Sequence, residues 1–171
     1  MKISKSMIAA GSACAMAAGI VMISAPAHAD QFTSCNGGTL KFNTSPIGPA
    51  SAPVNGTLNA TFTGCSGDTG GAGTAAGTFN GQAACGGAGV LVDADLNWAN
   101  GKRTHVSGPW HMQNLTFSNS ETNTLPVTGG DGSGTLAVTV GQISNVGQTV
   151  PDCLAGQARS FEMPITNLVV G

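Results

Sequence analysis

The chain has 171 residues, of which 8% are charged, with 26 glycines, 18 threonines and no tyrosine. Six basic residues against eight acidic ones leave no basic patch, which argues against nucleic acid as a partner. Downstream of residue 30 no apolar run reaches the length of a membrane-spanning helix.

The first element is a leader. Met1, Lys2 and Lys5 open a basic segment, residues 6–25 are small or apolar, and Ala27-His28-Ala29 forms an A-x-A cleavage site ahead of Asp30. The sequence therefore predicts a signal peptide over residues 1–29, cleaved after Ala29, and a single domain over residues 30–171. That places the mature chain in the cell envelope or the medium, where thiols oxidise. Gly11-Ser12-Ala13-Cys14 resembles a lipoprotein box only loosely, and cleavage after Ala29 explains more of the segment. The mature domain keeps all eight acids and four basic residues, Lys41, Lys102, Arg103 and Arg159, for a net charge of −4.

Four mature cysteines, Cys35, Cys65, Cys85 and Cys153, allow three pairings. The favoured one joins Cys35 to Cys65, around the first two strand candidates, and Cys85 to Cys153, tying mid-domain to the last strand. Each bridge would contribute about 2–4 kcal/mol. No C-x-x-C occurs, so a metal site is the weaker reading.

Alternation of apolar and polar residues, the mark of a half-buried strand, recurs along the domain. Leu40 and Phe42 face one way, and Lys41 and Asn43 the other. Leu58, Ala60 and Phe62 alternate with Asn59, Thr61 and Thr63. The Gly-rich stretch 64–77 then reads as a loop. It lacks the lysine and strand-to-helix context of a phosphate cradle.

Residues 90–106 carry the strongest signal. Val90, Val92, Ala94, Leu96 and Trp98 share one parity, Asp93, Asp95 and Asn97 the other, and Asn100-Gly101 marks a hairpin. A two-residue turn would set Leu96 against His105 and Trp98 against Arg103. A three-residue loop, Ala99-Asn100-Gly101, with Gly101 in the left-handed position, instead pairs Leu96 with Thr104, Ala94 with Val106, Asp95 with His105 and Asp93 with Ser107. The second register keeps basic residues off the buried face.

Gly108-Pro109 breaks the pattern before Trp110-His111, and 129–134 reads as a second Gly-rich loop. Leu136, Val138 and Val140 alternate again. Phe161–Val170 is more evenly apolar, with Pro164 marking a bulge or an edge.

Seven to nine strands and no sustained helical period predict an all-β domain: an immunoglobulin-like two-sheet sandwich, with a jelly roll as the alternative. Four segments, Ala60-Thr-Phe-Thr-Gly-Cys65, Cys85-Gly-Gly, Leu96-Asn-Trp-Ala-Asn-Gly-Lys102 and Asp152-Cys153-Leu-Ala-Gly156, resemble those of small exported β-rich proteins of Gram-positive, high-GC bacteria. The resemblance implies compartment and fold; it carries no catalytic residue across.

Two groups of residues invite a chemical reading. Asp93, Asp95, His105 and Ser107 combine acid, base and hydroxyl on one outer face. A flat face has no oxyanion hole, and Ser107 lies about 6.6 Å along the strand from His105, so a solvated ion pair is the better reading. Trp110, beside His111, is either core or a contact for a sugar or protein. Asp68 and Asp131, in the Gly-rich loops, lack the spacing of a calcium loop. Without a nucleophile, metal cluster or cofactor motif, the sequence predicts a non-enzyme with no cofactor. The expected protein is secreted or envelope-associated and binds an extracellular glycan or protein, with Trp110, His111, Asp95 and His105 as candidate contacts. A structural subunit self-associating through edge strands, or a secreted hydrolase or inhibitor, are the alternatives.

Overall fold

Each alternating segment is a strand in the computed structural model, which describes residues 33–67, 69–115 and 120–171. The strands are β1 (Thr33–Ile47), β2 (Ala52–Ser66), β3 (Ala72–Ala84), β4 (Gly87–Trp98), β5 (Arg103–Met112), β6 (Glu121–Gly130), β7 (Thr135–Val140) and β8 (Ala158–Val170), with one helix, α1 (Val146–Leu154), before the last. The expected leader and Asp68 lie outside the described residues.

The sheet is a closed antiparallel barrel in the order β1 to β8, with β8 pairing back onto β1. This corrects the two-sheet sandwich and the jelly roll. Both expected folds share the observed alternation, but both need connections that cross between sheets. Here every strand pairs with its neighbour in sequence, so one sheet curls until its ends meet. Closure also removes the terminal edge strands that self-association would need.

Side chains fill the inside. Leu40 and Phe42 of β1, Leu58 and Phe62 of β2, Val92 and Leu96 of β4, and Phe161 and Met163 of β8 are all buried. Their alternate neighbours Asn59, Thr61, Asp93 and Asp95 are exposed, so the barrel is apolar within and polar without. Membrane-spanning barrels have the opposite arrangement. An eight-stranded barrel has a lumen just wide enough for its own side chains. Two apolar cavities among the described residues, of about 40 and 20 Å³, are too small for an organic ligand.

Residues 72–77 belong to β3 rather than to a loop, which shortens the first Gly-rich connection to residues 67–71. The second likewise shortens, since Gly129 and Gly130 belong to β6. Glycine suits β3 because large rings lie over its inward face. A Cβ on Gly73 would sit 2.7 Å from the Trp98 ring. Small residues on one strand are thus covered by aromatics from the next.

The β4–β5 hairpin has the three-residue loop and the register expected. Leu96 pairs with Thr104, Asp95 with His105 and Asp93 with Ser107. Gly101 takes φ 87°, and its N–H donates to the Trp98 carbonyl at 2.9 Å. Trp98 Nε1 donates to Thr104 Oγ1 at 3.0 Å, and that hydroxyl donates to the Asp131 carbonyl at 2.8 Å, closing one end of the barrel.

The disulfides are Cys35–Cys65, across a register pair of β1 and β2, and Cys85–Cys153. The second ties the β3–β4 turn to α1. This helix had no periodic signal to announce it: it has nine residues, contains Pro151, and buries only Thr149 and Cys153. In β8 the inward series Phe161, Met163, Ile165 resumes at Leu168, because the register against β7 shifts between Thr139↔Asn167 and Val140↔Ile165. Pro164 accordingly lies beside a bulge, in a strand paired on both sides.

Candidate functional site

One junction of the barrel is incomplete. β3 and β4 share twelve register pairs and β4 and β5 share ten, but β5 and β6 share three: Thr104↔Gly130, His105↔Gly129 and Val106↔Val127. Carrying that register onward would set Ser107 against Pro126, Pro109 against Thr124 and His111 against Thr122.

Backbone direction explains why the ladder stops. Along a strand, N–H and C=O groups of alternate residues point to the same neighbour. The N–H and C=O of His111 are both bonded by a β6 side chain, so Pro109, two residues earlier, also turns its nitrogen to β6. The Val127 N–H donates to the Gly134 carbonyl on the β7 side, so the adjacent Pro126 turns its nitrogen to β5. Each strand therefore presents a proline to the other, at positions where the ladder needs a donor.

Side chains bridge the resulting slit. The Asn123 carboxamide accepts the His111 N–H at 2.8 Å and donates to the His111 carbonyl at 3.0 Å. Glu121 Oε1 accepts the Gln113 N–H at 2.8 Å. Outside this bridge lies a cleft of about 650 Å³ lined by His111, Gln113, Asn114, Ser120, Glu121, Thr122 and Asn123. Among the described residues its surface is rich in amide and hydroxyl groups, with Glu121 the one carboxylate. Asn114 takes φ 127°, in the region that favours glycine. A concave site with converging neutral donors and acceptors suits a ligand recognised by hydrogen bonds.

The residues singled out in the sequence separate into three places. His111 is exposed and belongs to the cleft. Trp110, its neighbour, points inward and is only 4% exposed, so it is core rather than a surface contact. Its ring lies 5.9 Å from that of Phe42, and its Nε1 is a buried donor without a partner. Inward parity decides this: Trp110 shares a face with Val106, and the Gly108-Pro109 break between them leaves the alternation intact.

Asp95 and His105 lie elsewhere on the outer wall. His105 Nδ1 is 2.8 Å from Asp95 Oδ1, and Nε2 is 3.6 Å from Asp93 Oδ2. Both ring nitrogens thus face carboxylates, which is the geometry of a cross-strand ion pair. Asp131 Oδ2 accepts the Arg103 N–H at 2.9 Å and serves the turn between β6 and β7. Among the described residues no group of three or more His, Cys, Asp or Glu could hold a metal ion.

Asn123, Glu121, Pro109 and Pro126 build the site, and residue-type reasoning passed over them. A proline in each of two successive strands was the available signal. It could be used only with the β5–β6 register known, and the connection after Met112 hides that register. No helix among the described residues is long and apolar enough to cross a membrane. No family model, curated protein or solved structure matches the chain.

Proposed function

We propose that the chain is an exported, non-catalytic binding protein of the cell envelope that holds a glycan or a protein partner in the β5–β6 cleft. The observation that carries this reading is the cleft itself, a polar concavity of about 650 Å³ on the outside of the barrel. Two disulfides and the A-x-A leader support export. The outer wall supplies ion pairs and threonines, and the lumen supplies packing, so the cleft is the polar concavity that suits a ligand.

Capture from envelope fractions tests it. Immobilised residues 30–171 should retain a ligand, and His111→Ala should weaken retention about tenfold, the effect of losing about 1.4 kcal/mol. Lys41→Ser, on the outer wall at β1, should leave retention unchanged. Equal retention by the His111 variant would move the site elsewhere.

A further inference from the structure

We propose that α1 is a strap across one mouth of the barrel, latched by Cys85–Cys153, and that the redox state of this disulfide decides whether the mouth is shut.

The closed ring fixes where the strap lies. The β1–β2 and β3–β4 turns and the β7–β8 connection, which carries α1, stand at the same end of the antiparallel barrel. In the ring of eight strands the β3–β4 turn is four strands from the β7–β8 connection in either direction. Cys153, near the end of α1, is bonded to Cys85 in that turn, so the helix reaches from its own wall to the opposite one. At its start the Asn145 carboxamide accepts the Glu162 N–H and donates to the Ser160 carbonyl, both at 3.2 Å. This end of the lumen is lined by Ile47, Val54, Ala83, Met112, Leu115 and Phe161, around the cavity of about 20 Å³ that Trp110 also borders.

The helix has little hold of its own. Nine residues are too few for a helix to be stable alone in water. Gly147 and Pro151 lower its propensity further. Asn145, at the N-cap, makes no side-chain cap bond, because its carboxamide serves β8. Thr149 and Cys153 are the buried residues of α1, while Val146 and Leu154 are exposed. The other disulfide is a contrast. Cys35–Cys65 joins residues already in register in the β1–β2 ladder, so backbone bonds hold those strands without it. Cys85–Cys153 joins two segments that share no ladder.

A dithiol opens the latch in two exchanges. Its first thiolate displaces one cysteine sulfur and forms a mixed disulfide with the other. Its second sulfur then closes on the first and releases that cysteine. Two electrons and two protons pass to Cys85 and Cys153, and the reagent leaves as a cyclic disulfide. The strap then lifts and uncovers an apolar basin that contains Trp110 Nε1, a donor without a partner.

The test is hydrogen exchange of amides and indoles in the domain over residues 30–171. In the double variant Cys85→Ala/Cys153→Ala, α1 amides should exchange at least about 100-fold faster than in the oxidised domain. The Trp110 indole N–H should speed up with them. The Trp98 indole, bonded to Thr104 at the other mouth, should hold its rate. Cys35→Ala/Cys65→Ala should leave α1 and Trp110 as they are. If the first variant fails to fold, dithiol titration of the wild-type domain decides: α1 exchange must rise in step with alkylation of Cys85 and Cys153. An α1 equally protected with and without its disulfide would overturn the proposal. So would a freed α1 with an unchanged Trp110 indole, or an α1 freed as much by loss of Cys35–Cys65. Loss of protection in β3, β4 and β8 together with α1 would also overturn it, since the bond would then staple the whole fold.

Discussion

β4 and β6 flank the same strand, and they treat it differently. Toward β4, residues Arg103–Met112 of β5 form ten consecutive register pairs. Toward β6 the same strand forms three and then relies on Asn123 and Glu121 side chains. The regular side is fixed by alternation and by one left-handed glycine at the hairpin. The other side is set by two prolines, Pro109 on β5 and Pro126 on β6, each turned toward the opposite strand. Closure gives this barrel a core without edges, and between β5 and β6 side chains take over from the backbone ladder. In a fold whose lumen is full, a local failure of closure is how a binding surface can arise.

The comparison can be broken most forcefully at Trp110, in the strand that both sides share. Its backbone pairs with Val90 of β4, and its ring packs on Phe42. Trp110→Ala should cost about 3–5 kcal/mol in chemical denaturation, because it empties a buried aromatic site. A surface anchor would instead lose binding with little loss of stability.

Asn123→Ala comes next. It strands the His111 N–H and carbonyl and should cost about 1–3 kcal/mol. Amide resonances near His111 should change while those of β3 and β4 stay in place. On the regular side, Gly101→Ala should cost about 1 kcal/mol, because alanine disfavours the φ of 87° found there. Asp95→Ala should cost well under 1 kcal/mol, since its pair with His105 is solvent-exposed. Urea titrations of these two variants rank turn against ion pair; the reverse order would contradict the hairpin account.

The regular side was legible because its information is local. Parity from Val90 to Val106, with Asn100-Gly101, determines face, loop length and register together. The disulfide pairing followed from the same strand candidates. Sandwich and barrel, however, share that local pattern, and what separates them is the order in which strands pair, with β8 returning to β1. The length of β3 was hidden because Gly73 and Gly77 have no side chain to alternate; the Trp98 ring supplies the apolar surface over Gly73, and Ala94 packs against Gly77. Trp110 was open between core and contact because the Gly108-Pro109 break obscured its parity. His111 was picked out for its neighbour's ring and lies in the cleft for another reason, the backbone groups it turns to β6. Asn123 and Glu121 read as ordinary polar strand residues, since their role depends on a register across a connection of variable reach.

Amide hydrogen exchange of the oxidised domain tests the central claim, that the β5–β6 ladder is interrupted beyond Val106↔Val127. Val92, Ala94 and Leu96 of β4 should exchange only with global unfolding. Ser107, Thr122 and Thr124, whose N–H groups face the slit, should exchange at least about 100-fold faster, a gap of about 2.8 kcal/mol. Equal protection of the two sets would mean that β5 and β6 close like every other pair, and the site would have no structural basis.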